Sequence, residues 1–174
     1  GVNPSHIGYF AFTRQAANEA VERACSRFNL EKSQLPWFRT LHSFALKLSG
    51  IRQEQVMQPE HYKELGFALG FDLTVDKAGS DDVFDLTKTD NPAISLINLA
   101  RLRKVDLREQ YDQSEINLDW TTVKYIADSL QEYKNRWNLY DFTDMLEVFV
   151  REGAAFCPRL ALTFIDEAQD LSPL

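Results

Sequence analysis

The sequence predicts an α/β fold: a partial parallel sheet with flanking helices, interrupted by a mainly helical inserted subdomain. Three observations carry this. Short apolar runs at 7–12, 35–40 and 160–165 are long enough for strands and too short for helices. The first two lead directly into segments whose apolar residues recur at threes and fours, the strand-then-helix unit of α/β proteins. From about 51 to 138 the texture changes to helical patterns divided by polar, acidic loops.

Ile7-Gly8-Tyr9-Phe10-Ala11-Phe12 reads as a buried strand ending at Thr13. Ala16, Ala17, Ala20, Val21, Ala24 and Phe28 then share one side of a helix over 15–28, with Glu19, Glu22, Arg23 and Arg27 mostly on the other. Pro36 restricts Leu35 to extended backbone, and the aromatic pair after it favours a second strand. A helix over 41–49 follows, closed by Gly50 as a C-terminal cap. In the middle, helices are expected at 59–69, 92–105 and 119–137, and Gly79-Ser80-Asp81-Asp82 is the clearest loop signal. A helix over 142–151 stops near Gly153. Leu160-Ala161-Leu162-Thr163-Phe164-Ile165 has the near-continuous apolar character of a parallel strand buried on both faces. The chain therefore divides into a framework segment at 1–50, a helical insertion at 51–138 and a return to the framework at 139–174.

Bulk properties exclude several classes. Two cysteines, Cys25 and Cys157, are too few and too far apart for a disulfide framework or a zinc cluster, which fits a reducing, intracellular setting. No apolar run approaches the roughly 18–20 residues that span a bilayer, and the opening residues lack a signal-peptide pattern, so a cytoplasmic protein is expected. The net charge of −7 argues against a polyanionic partner until its distribution is considered. Up to Gly50 six cations (Arg14, Arg23, Arg27, Lys32, Arg39, Lys47) face three anions (Glu19, Glu22, Glu31), leaving +3 there and −10 in the remainder. Any nucleic-acid contact belongs in the first segment.

The strongest chemical signal is the last apolar run leading into Asp166-Glu167-Ala168-Gln169-Asp170. Carboxylates at the carboxyl end of a strand lie where open α/β sheets bind ligands. Nucleotide hydrolysis needs one carboxylate to hold Mg²⁺ on the phosphates and a neighbour to orient or deprotonate the attacking water, roles that suit Asp166 and Glu167 in turn. A bare Asp-Glu pair would more often be a solvated strand end; the full pentapeptide reverses that preference. It resembles motif II, the Walker B segment, of the UvrD/Rep group of superfamily one DNA helicases.

Three further segments resemble that family, in its order. Ala11-Phe12-Thr13-Arg14-Gln15-Ala16-Ala17 is similar to motif Ia. A strand-to-helix junction offers free N–H groups and a positive dipole end to a phosphate, Thr13 adds a hydroxyl, and Arg14 adds charge. Phe12 could stack on a base, although on its own it is better read as a core residue at a strand end. Thr40-Leu41-His42-Ser43 resembles the Thr-x-His-Ser/Gly segment that contacts the DNA backbone; Thr40 and Ser43 could equally be N-caps. Asp141-Phe142-Thr143-Asp144-Met145-Leu146 resembles a segment shortly before motif II, with Asp141 preferred as a helix cap and Phe142 and Leu146 as core.

The resemblance implies a RecA-like first motor domain, ATP and Mg²⁺ as cofactors, single-stranded DNA and a duplex junction as partners, and work in DNA repair or replication. It implies DNA contacts at Phe12, Thr13, Arg14, Thr40, His42 and Ser43, a Mg²⁺ site at Asp166 and Glu167, and catalytic roles for Glu167 and Gln169, with Gln169 near the γ-phosphate. Asp170 is expected to brace the following turn. No Gly-x-x-x-x-Gly-Lys-Ser/Thr run exists in the chain; Lys32-Ser33 and Lys88-Thr89 follow Glu31 and Thr87. The chain is therefore expected to start after the phosphate loop and, alone, to hydrolyse no ATP. The alternatives are a helicase–nuclease subunit of the RecB/AddA kind and a non-catalytic DNA- or protein-binding module.

Overall fold

A computed structural model describes residues 1–75 and 91–170, the last by its backbone alone, so the loop signal at 79–82 lies outside the described residues. The described residues form two compact units: Gly1–Gly50 joined by 148–170, and Ile51–Glu147. The chain leaves the first unit after Gly50 and re-enters it within the helix Phe142–Arg151. Among the described residues no helix is long and apolar enough to cross a membrane.

The first unit is α/β. Strands β1 (Ile7–Ala11), β2 (Trp37–Thr40) and β3 (Leu162–Ile165) form a parallel sheet in the order β2-β1-β3. Helix α1 (Arg14–Phe28) follows β1 and ends at Asn29, which takes the left-handed conformation (φ 52°) that asparagine tolerates. Helix α2 (Leu41–Ser49) follows β2 directly and closes on Gly50 at φ 74°, the expected glycine cap. Alternation along β1 sends neighbouring side chains to opposite faces. Tyr9 stacks on Phe38 (5.6 Å, 20°), whereas Phe10 meets Phe44 of α2 at 4.7 Å. Phe149 meets Phe44 edge-on at 5.4 Å. A Cβ at Gly153 would lie 2.6 Å from Phe149 and 3.0 Å from the Leu48 carbonyl, which explains why a glycine sits where the chain passes α2.

Strand β3 departs from the expectation of burial on both faces. Among the described residues it pairs with β1 alone, at an edge of the three-stranded sheet, and Leu162, Phe164 and Ile165 are 46, 52 and 45% exposed. The middle strand is β1. An apolar run reports that a strand has hydrophobic faces; whether anything covers them depends on the rest of the fold, and the described residues cover these only in part.

The second unit is helical, with α3 (Pro59–Leu69), α4 (Pro92–Arg103), α5 (Leu107–Asp112), α6 (Trp120–Trp137) and the first part of α7 (Phe142–Arg151). Asp119 caps α6, its carboxylate accepting from the Thr122 N–H at 3.0 Å, and α4 stops at Arg103, two residues early, where Lys104 turns left-handed. Helix α5 is absent from the sequence reading because six residues are too few to show a 3.6 period. The core gathers Met57, Tyr62, Leu65, Leu73, Ile94, Ile97, Ile126 and Leu130.

Beside that core lies a cluster of charges. Lys134, 3% exposed, donates to Asp141 at 2.7 Å and to both oxygens of Asp144 at 3.0 and 2.8 Å. Arg101 reaches Asp141 (2.8 Å), Asp144 (2.5 Å) and Glu147 (2.9 Å). Burial alone would raise the Asp141 pKa, but Lys134 and Arg101 hold it below the ordinary aspartate value. The carboxylates of Asp141 and Asp144 also accept each other's backbone N–H at 2.8 Å, so the preferred capping role of Asp141 is present together with an ionic one. Phe142 is buried and Leu146 half-buried.

Candidate functional site

The register of the sheet decides which sequence segments meet. Ala11 pairs with Thr40 and Phe10 with Ile165, so all three strands finish level. The Asp166 N–H donates to the Phe10 carbonyl at 2.8 Å, extending the ladder by one residue. Thr40, Phe12-Thr13 and Asp166-Glu167 consequently follow one another, in that order, across a single carboxyl edge, the side of an open α/β sheet that binds ligands. The three segments are separated in sequence by tens of residues, and parallel pairing brings them to one rim.

At the end of β1, Phe12 is 38% exposed. The reading of it as a core phenylalanine is therefore corrected: the strand ends at Ala11, which is fully buried, and the next side chain projects beyond the packed layer. Thr13 is the N-cap of α1, its hydroxyl oxygen accepting from the Ala16 N–H at 3.1 Å. Arg14, exposed, is the first residue of that helix. A cation and the positive end of the helix dipole thus stand at the end of β1.

At the end of β2, Thr40 is 3% exposed and its hydroxyl oxygen accepts from the Ser43 N–H at 3.2 Å, capping α2. Ser43 is not the cap. It lies on the first turn, half-buried, and its hydroxyl oxygen accepts from Arg39 Nη1 at 3.4 Å. His42 is half-buried on the same turn.

At the end of β3, Asp166 is half-buried and Glu167 and Gln169 are exposed. Glu167 adopts φ 51°, a left-handed conformation that costs a residue with a Cβ on the order of 1 kcal/mol and tends to occur at functional sites. The side-chain amide of Gln169 donates to the Glu167 carboxylate, tying the two residues together across the turn. The backbone of Asp170 belongs to the 3-10 turn Ala168–Asp170. Sequence reasoning did not single out Tyr9. Burial first, then the neighbouring Asp166 carboxylate, raise its phenol above the ordinary tyrosine value, so this side chain on the adjacent strand belongs to the surroundings of Asp166. Period-two alternation was the available signal, since Tyr9 pairs with Phe164 and Asp166 lies two residues further along the same face.

Two adjacent carboxylates are a sparse donor set for a metal held by protein alone, and among the described residues no group of three or more His, Cys, Asp or Glu could hold one. They do fit a hard cation such as Mg²⁺, which typically takes one or two carboxylates and completes its shell with water and substrate phosphates.

Residues 1–174 match the family described as UvrD/REP helicase N-terminal domain. No curated protein matches the chain.

Proposed function

We propose, from the premise that this chain belongs to the UvrD/REP helicase N-terminal domain family, that it forms the DNA-facing and hydrolytic edge of an ATP-dependent helicase motor. In this reading hydrolysis of ATP drives movement along single-stranded DNA and separation of a duplex ahead of it. The observation that supports it is the level finish of the three strands, which sets the residues suited to DNA and those suited to nucleotide side by side.

Each residue then has a role that its environment permits. Phe12 offers an exposed ring for stacking on a base, and Arg14 with the first turn of α1 meets a backbone phosphate. His42 and Ser43 extend the contact on α2. Thr40, buried and capping, contributes by fixing that turn, and Thr13 likewise holds the start of α1. Asp166, beside Tyr9, would hold the nucleotide's Mg²⁺. When bound, Mg²⁺ supplies charge neutralisation on the phosphate oxygens. Glu167 accepts the proton of the attacking water, and the amide of Gln169, donating to that carboxylate, keeps it oriented. A contact that Gln169 also makes with the terminal phosphate would let hydrolysis be sensed at the rim. The residues from 51 to 138 form an insertion on this framework. The 174 residues contain no glycine-rich phosphate loop, so by themselves they turn over no ATP.

The test is DNA-stimulated ATP hydrolysis by the native protein. Glu167→Gln should lower kcat by about 10²–10⁴ while leaving affinity for single-stranded DNA in place. Turnover near the wild-type rate would remove Glu167 as the base and with it this assignment.

A further inference from the structure

Between Lys32 and Gly50 the chain carries Lys32, Arg39 and Lys47 and not one Asp or Glu, in a protein of net charge −7. Arg39 stands out there by its partners. Its guanidinium is half-buried, its Nε donates to the Pro36 carbonyl at 3.1 Å, and Nη1 has only long approaches to Ser43, 3.5 Å to the carbonyl and 3.4 Å to the hydroxyl. Those two lie at the limit of hydrogen bonding, so most of the five donors have no close partner among the described residues. Among the described residues no carboxylate pairs with it. Arg101, also half-buried, shows the contrast: it is met by three carboxylates, Asp141, Asp144 and Glu147. A desolvated cation with unspent donors is a site prepared for an anion from outside the chain.

The surroundings extend the site. Trp37 and Arg39, two apart on β2, share a face, and Ser43 and Lys47, four apart on α2, share another. Arg39 touches Ser43 and Lys47 lies over the Trp37 ring at 4.9 Å, so the two faces join into one stripe of cation, hydroxyl, aromatic ring and cation. Lys47 is exposed and, like Arg39, has no carboxylate partner among the described residues. The stripe begins at the turn capped by Thr40 and is continuous with the rim.

We propose that this β2–α2 flank is a second polyanion-binding stretch, in which Arg39 and Lys47 hold backbone phosphates of a single strand of DNA continuing from the rim. Cations interleaved with an aromatic ring suit a single nucleic-acid strand. The inference rests on the reading of the rim as a DNA track and adds to it residues that the helicase motifs do not include.

Salt dependence tests it with the full 174-residue chain and fluorescent oligo-dT. Removing one phosphate-binding cation lowers the slope of log K against log salt by about 0.7 for a single strand. Arg39→Gln and Lys47→Gln should each lower it by about that amount, Arg39→Lys should keep it, and Lys47→Gln should leave Tm unchanged because its side chain is exposed. A lowered Tm with an unchanged slope in Arg39→Gln, together with an unchanged slope in the foldable Lys47→Gln, overturns the proposal. If Arg14→Gln lowers the slope while these two do not, only the flank fails; if the wild-type chain shows no salt-dependent binding, the rim reading fails as well. Binding of poly-glutamate that is abolished in both variants while the DNA slope stays fixed would assign the stripe to an acidic protein instead.

Discussion

Lys134→Met is the perturbation with the largest consequence for the folded state. Methionine keeps the apolar stem of the side chain and deletes an ammonium that is 3% exposed and donates to Asp141 and Asp144 at 2.7–3.0 Å. Among the described residues Asp141, 1% exposed, then keeps Arg101 as its one cation, and that guanidinium is already shared with Asp144 and Glu147. Removing one partner from a buried ionic cluster costs about 3–5 kcal/mol, a large share of the ~5–15 kcal/mol that stabilises a typical domain. With a urea m-value of about 2 kcal/mol/M the midpoint should fall by roughly 2 M at neutral pH, with m unchanged. Unfolding followed by tryptophan fluorescence and far-UV circular dichroism reads this directly, since Trp120 and Trp137 bound the same helix. The cluster also sets a pH dependence. Asp141 has a folded pKa depressed below its unfolded value, so its stabilisation is present above the unfolded aspartate pKa of about 3.9 and is lost as pH falls through the folded value. In Lys134→Met the depression is smaller and the acid limb moves to higher pH. A destabilisation below about 1 kcal/mol, the range of exposed ion pairs, would refute the reasoning that these charges are buried and interdependent.

Three other outcomes follow from single side chains. Phe12→Ala should weaken single-stranded DNA binding by about 1–3 kcal/mol, measured by fluorescence anisotropy, without lowering Tm, because the ring is already 38% exposed; a fall in Tm instead would return Phe12 to the core. Gly153→Val should destabilise the first unit by roughly 1–3 kcal/mol in thermal unfolding, since the new side chain meets Phe149 and the Leu48 carbonyl; a neutral result would mean that α2 and the following turn are not closely packed. Glu167→Gly should leave Tm unchanged or raise it by relieving a left-handed residue worth on the order of 1 kcal/mol, while ATP hydrolysis by the native protein is abolished; a lowered Tm would contradict the backbone conformation at this turn.

Local signals carried much of the fold. The helices over 41–49, 59–69 and 142–151 have the bounds that caps, proline and glycine predict, because those devices act within a turn of the residues that carry them. What depends on distant chain was not legible. The exposure of β3 and of Phe12 is set by what packs over them. The charge cluster joins Arg101 to residues forty and more positions away, so no window of sequence displays it, and Asp141 looked like an ordinary cap. The same holds at the site. Asp166-Glu167 and Phe12-Thr13 were recognisable as motifs, but that they end level on one edge is a property of strand register. Tyr9 escaped notice because nothing in its neighbours along the chain distinguishes it from a packing residue and the carboxylate that shifts it lies across the sheet; Arg39 was counted as a cation, but its want of a carboxylate partner among the described residues shows only in the fold.

Whether one edge serves both ligands is tested most directly by a crystal structure of the native protein with a non-hydrolysable ATP analogue, Mg²⁺ and oligo-dT. The expected result is the cation on the Asp166 carboxylate, the terminal phosphate beside Glu167, and a backbone phosphate at the start of α1 with a base against Phe12. Nucleotide bound away from the carboxyl ends of β1 and β3, or DNA crossing the opposite rim of the sheet, would contradict the shared edge.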